Sequence, residues 1–121
     1  GYVDLWRSLP VGFIGGIVCS SAVRFRTSRG WDDTLDVWAL HGVGGASGVI
    51  LTGVFANPAL APAGGILYGN TSQLAIQTLS VLLVTAYSFV LTLVLLRVIS
   101  IFTPLRLNEI DEKLGLDRLQ C

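Results

Sequence analysis

Asp32-Asp33-Thr34-Leu35-Asp36-Val37-Trp38-Ala39-Leu40-His41-Gly42-Val43-Gly44-Gly45-Ala46-Ser47-Gly48 carries the only histidine of the 121-residue chain. Three carboxylates precede the ring. After it the run stays apolar and glycine-rich to about Phe55, and the next charges are Arg97 and Arg106. An ionisable ring that deep in an apolar segment is either a structural feature with a partner or a working group. Whether the segment is a soluble core helix or a membrane span therefore decides the fold.

Composition favours the span. Hydrophobic residues make up 52% of the chain and charged residues 13%, against about 25% charged in soluble domains. The mean hydropathy is +0.68. Too few polar residues remain to cover a soluble surface. Three segments approach the roughly 20 residues that cross a bilayer as helix: Leu9 to Phe25, Leu35 to Ala56, and Ile76 to Phe102, the last stopped by Pro104. Soluble amphipathic helices would show a polar face, and these show almost none. The third segment is about 40 Å long at 1.5 Å per residue, more than a ~30 Å hydrocarbon core, which predicts tilt or projection. Pro10 suits the first turn of the first helix. The expected fold is all-α, a polytopic membrane protein with residues 1–104 as the transmembrane region and 105–121 as the start of a tail.

The net charge of zero leaves nothing to neutralise phosphates and excludes nucleic acid as a partner. Cys19 and Cys121 are too far apart in sequence to read as a disulfide framework or metal knuckle, and Cys19 reads as a small buried hydrophobe. No signal peptide of the usual build is present. The start at Gly1 and the lack of methionine read as a fragment or a processed chain.

Basic residues orient the spans. Arg24, Arg26 and Arg29 cluster between the first and second, the 57–75 link is uncharged, and Arg106, Lys113 and Arg118 follow the third. The positive-inside rule makes the first link and the C-terminus cytoplasmic, with the N-terminus and the 57–75 loop outside; Arg7 alone runs against it. That loop, rich in Pro, Gly and Asn, reads as ordered turns, with Ile66, Leu67 and Tyr68 dipping into the interface.

Small residues pattern the helices. Gly12 with Gly16, and Gly44 with Gly48, make Gly-xxx-Gly pairs of the kind that let backbones approach in lipid. His41, Gly44, Gly48 and Thr52 share one helical face, which places the ring on the packed side or beside a narrow lumen. Ser80, Thr85, Ser88 and Thr92 are expected to hydrogen-bond between helices. Three readings of His41 stay open: a structural histidine bonded to a neighbouring helix; a haem or metal ligand, for which the chain offers no second histidine and no cysteine at ligand spacing; or a polar group in a transport path. A neutral imidazole donates at one nitrogen, accepts at the other and exchanges protons near neutrality. Asp32 or Asp33 is the expected N-cap of the second helix and Asp36 lies in its first turns, where anions are stabilised by free N–H groups.

Asp36-Val37-Trp38-Ala39-Leu40-His41-Gly42-Val43-Gly44-Gly45, followed by Leu51-Thr52-Gly53-Val54-Phe55-Ala56, resembles the ammonium transporter family (Amt/Mep, related to Rh proteins), whose pattern is Asp-Val-x-x-x-His-Gly-x-x-Gly and then Thr-Gly-(Ile/Val)-Phe-Ala. Gly64-Gly65-Ile66-Leu67-Tyr68-Gly69-Asn70 with Gln73, Leu74 and Gln77, and Gly115-Leu116-Asp117 near the end, are similar to the loop before the family's last helix and to the start of its tail. The resemblance implies the last three of eleven helices, a homotrimer with one pore per subunit, and passage of ammonium or ammonia through a narrow hydrophobic pore lined by two histidines. His41 then looks like the second of these, with Val37 lining the same pore and Gly44, Gly48 and Thr52 packing its wall. It implies no enzyme activity and no cofactor, a plasma-membrane location, and a tail at Gly115, Leu116 and Asp117 open to a PII-type signal protein. The sequence ends Arg118-Leu119-Gln120-Cys121 where the family continues with a His-Gly-Glu-like motif. Two alternatives accompany this reading: an ammonium sensor with a transporter-like membrane domain, and an isolated fragment without function.

Overall fold

A computed structural model describes residues 1–106. Among these the chain is all-helical with no strand. It divides into two units, residues 1–83 and a second beginning at Val84. The expectations at Gly115, Leu116 and Asp117 lie outside the described residues.

In the first unit, α1 runs Leu5–Ser28. It begins four residues before the apolar segment does, because Asp4 is extended and its carboxylate accepts the Arg7 N–H at 3.0 Å. A capped helix end tolerates polar residues that a hydropathy window discards. Pro10 consequently lies inside the helix rather than in its first turn, where, lacking an N–H, it cannot donate to the Trp6 carbonyl. The helix ends at Ser28 with Arg29 as its C-cap, and Gly30 beyond it has a left-handed φ of +63°.

The second span is not a uniform helix. Residues Trp38–Val43 form a π-helical turn, and α2 follows at Gly44–Phe55. The expected start at Leu35 fails because Asp36 has φ +53°, a left-handed conformation that interrupts a right-handed helix. The connection to α3 contains a single 3₁₀ turn, Ile66–Tyr68, closed by Gly69 at φ +82°. Gly65 crosses α2 so tightly that a Cβ there would stand 2.4 Å from the Val54 carbonyl oxygen. Helix α3 begins at Thr71, with the Asn70 side chain accepting the Gln73 N–H at 3.3 Å, and its first turns pack on α2, where a Cβ at Gly53 would meet the Leu74 Cα at 3.1 Å.

The second unit, in its described part, is the continuation of α3 to Phe102 and the turn after it. Over its whole length α3 has 32 residues and no buried side chain, and at 1.5 Å per residue it is about 48 Å long. All three helical segments, Leu5–Ser28, Trp38–Phe55 and Thr71–Phe102, are long and apolar enough to cross a membrane. The buried hydrophobic side chains among the described residues are Ala22, Ala39 and Ala56 alone. Among the described residues no large apolar side chain is fully buried. The chain's large side chains require lipid or further helices to cover them.

Candidate functional site

The approach to His41 is built from the end of α1 and the residues that follow it. Phe25, Trp31 and Trp38 form an aromatic trio: Trp31 meets Trp38 edge-on at 5.3 Å between centroids and Phe25 at 5.6 Å, and Phe25 lies 6.3 Å from Trp38. These are the offset and edge-to-face separations that aromatic rings favour. Arg29 lies over the Phe25 ring at 5.2 Å. Arg26 donates from Nη2 to Asp36 Oδ1 at 2.5 Å and reaches the Trp31 carbonyl at 3.4 Å.

The three carboxylates of the stretch differ in place. Asp33 accepts the N–H groups of Val37 and Trp38 at 2.9 and 2.8 Å, so one side chain satisfies two donors that the helix start leaves open. Asp36 stands before the helix, its carboxylate turned to Arg26 and its carbonyl accepting the Leu40 N–H at 2.8 Å. It is therefore not in the first turns below His41. Asp32 is exposed.

His41 sits within the π-helical turn. Its side chain is exposed, as is that of Val37, whereas Ala39 between them is fully buried. Among the described residues no hydrogen bond reaches the imidazole. The wide turn could not be anticipated from the pattern of apolar residues. Single π turns inside α-helices occur frequently at functional sites.

The glycines behind the ring do not act as one set. A Cβ on Gly44 would stand 2.7 Å from Cys19 Sγ, so α1 and the start of α2 touch there. Gly48, Gly12 and Gly16 face open space among the described residues. The Ser47 and Thr52 hydroxyls donate to the carbonyls of Gly44 and Gly48 at 2.8 and 2.9 Å. Ser80 likewise donates to its own helix, at the Ile76 carbonyl, rather than to a neighbour. A hydroxyl without an adjacent partner takes the nearest preceding carbonyl.

At the other end of α1, Asp4 is ion-paired with Arg7 and accepts from the Asn57 amide at 3.0 Å. Asn57 also accepts the Ala59 N–H and donates its own N–H to the Tyr2 carbonyl, and Arg7 lies 5.0 Å over the Tyr68 ring. The Arg7 backbone N–H chiefly, with the Asn57 amide and the Arg7 charge, holds the Asp4 carboxyl below the ordinary aspartate range against the opposing effect of desolvation. Sequence reasoning missed Asn57; its signal was an Asn-Pro pair directly after the end of an apolar run.

Three spanning helices with uncovered apolar faces, and an unpaired imidazole on a widened turn of one of them, define a segment of a polytopic membrane protein. Sequence comparison makes the class specific. The profile of the Ammonium Transporter Family matches residues 1–121, and the chain belongs to that family. It is similar to the ammonium transporter Amt1 of Archaeoglobus fulgidus, 38% identical over 120 residues, covering 99% of this chain and 31% of that protein. It is similar also to the ammonium transporter of Bacillus subtilis, 39% identical over 97% of this chain and 30% of the relative. A third similarity is to that of Aquifex aeolicus, 41% identical over 97% of this chain and 28% of the relative. The chain thus spans about three tenths of the length of the relatives it matches.

Proposed function

We propose that the protein to which this chain belongs carries ammonium or ammonia across a membrane through a narrow apolar pore, and that His41 forms part of the pore wall. The observation that carries this reading is the exposed, unbonded imidazole on the π-helical turn of a spanning segment, within a chain of the ammonium transporter family. A dry apolar passage rejects K⁺ and Na⁺, because stripping their hydration costs far more than apolar walls return. Ammonia keeps most of its interaction energy in such a passage, since an imidazole can donate to it or accept from it. Val37, exposed one turn before the ring, lines the same passage, while Gly44 lets α1 approach behind it and Gly48 and Thr52 face helices outside this chain. A second histidine from another helix completes the pair.

In this reading the protein is a transporter rather than an enzyme and needs no cofactor. It is a homotrimer in the cell membrane, with the N-terminus of this segment outside and the Arg24–Asp33 loop and the C-terminus in the cytoplasm. A PII-type signal protein acts on the cytoplasmic face. The test is methylammonium uptake by the full-length protein with His41→Ala beside the parent. Uptake or selectivity over K⁺ is expected to fall; unchanged uptake with unchanged selectivity removes His41 from the pore. A kinase or cyclase domain in the full-length sequence would move the reading to an ammonium sensor.

A further inference from the structure

We propose that Arg26, at the end of α1, is a positioning residue for His41: through its ion pair with Asp36 it holds the left-handed residue that keeps the turn beneath the ring π-helical. The proposal rests on the transport reading for its functional consequence, though not for its geometry. Asp36 has φ +53°, a conformation uncommon outside glycine that aspartate enters more readily than most residues and that still interrupts the right-handed helix. The surroundings here are specific. Arg26 Nη2 lies 2.5 Å from the Asp36 carboxylate, the two side chains being 18% and 27% exposed. Arg26 is itself anchored, because its carbonyl accepts the Trp31 N–H at 3.3 Å and its other guanidinium nitrogen reaches the Trp31 carbonyl.

One residue beyond Asp36, after Val37, come the six residues of the π turn, Trp38–Val43, with His41 among them. A π turn closes i→i+5 bonds and accommodates one residue more than the α-helix does. That extra residue persists only while the chain entering the turn is held back from continuing as ordinary helix. If Asp36 relaxed to the right-handed region, the turn could tighten to i→i+4 bonding, and residues 37–43 would rotate relative to Gly44. The exposed His41 and the buried Ala39 would both leave their present directions. Asp33 accepts the N–H groups of Val37 and Trp38, whereas the Asp36 side chain itself is held by Arg26.

Position 39 reports the rotation. In the full-length protein with its other cysteines replaced, Ala39→Cys is expected to be protected from a small thiol reagent in the parent and to lose that protection in Arg26→Gln. Arg26→Lys, which keeps the charge, is expected to keep the protection. Asp36→Ala should expose position 39 as Arg26→Gln does, and the double variant no further, because both changes act on one contact. Where Arg26→Gln does not accumulate in the membrane, Asp36→Ala provides the same readout. Without the reporter cysteine, methylammonium uptake per molecule should fall by up to about a hundredfold in either single variant, the scale on which a misplacement of about 1 Å acts, and no further in the double. Continued protection of position 39 in both single variants, or multiplicative losses in the double, overturns the proposal. The labelling does not depend on transport. If His41→Ala transports as the parent does, the transport reading falls while the labelling still judges the role of Arg26.

Discussion

Replacing Gly44 with alanine tests the contact between α1 and the start of α2 most directly. The added Cβ would stand 2.7 Å from Cys19 Sγ, where ordinary heavy-atom contacts are about 3.5–4.0 Å. Either the helices separate by about 1 Å or the thiol turns away. Inserting a methyl group into a close-packed site costs about 1–3 kcal/mol, whereas exchanging glycine for alanine in a helix gains roughly 0.5–1 kcal/mol. Gly44→Ala should therefore lose about 1 kcal/mol. Trimming the opposing side chain separates the two effects. In a Cys19→Ala background the clash disappears and only the helix gain remains, so Gly44→Ala should become neutral or stabilising. The assay is thermal unfolding of the detergent-solubilised full-length protein, as a four-member cycle of parent, two single variants and the double. A Gly44→Ala loss that is the same with and without Cys19 would refute the reasoning, because it would show that the glycine is needed against something other than this thiol.

Gly65→Ala should be the more damaging exchange, since its Cβ would stand 2.4 Å from the Val54 carbonyl oxygen and backbone cannot rotate aside; a larger fall in melting temperature than for Gly44→Ala is the check. Asp33→Ala removes the acceptor of two N–H groups and should cost about 0.5–2 kcal/mol, as lost caps do, with Asp33→Asn milder in the same unfolding assay. Because folding lowers the Asp4 carboxyl below its ordinary value, its contribution is fully present above about pH 3.9 and is lost as pH falls through the lower folded value. Asp4→Asn should thus reduce stability near neutral pH, and the difference from the parent should shrink below that point in melting curves recorded against pH.

Much of the architecture is legible locally. Length and apolarity set where a helix can cross lipid, and both are properties of a segment alone, so the number of spans and the termination of the third at Phe102 follow from reading along the chain. The three starts moved for local reasons. Asp4 draws α1 back to Leu5, Asn70 receives the Gln73 N–H near the start of α3, and left-handed Asp36 delays the second helix to Trp38. The site divides the same way. His41 stands out in the sequence because an ionisable residue in a span is rare. The widened turn that carries it leaves no mark on apolar periodicity.

The sequence by itself determined that this chain is a set of membrane helices, that one of them carries a lone imidazole, and to which family the pattern belongs. Those conclusions depend on residue types and their order. The tertiary structure alone decided which carboxylate caps and which pairs, that Gly44 rather than Gly48 meets α1, and that Asn57 ties the 57–70 loop to Asp4. The physical reason is that each is a contact between residues distant along the chain or a choice among equivalent side chains. Its energy depends on distances and on a positive φ that arise only once the helices are brought together.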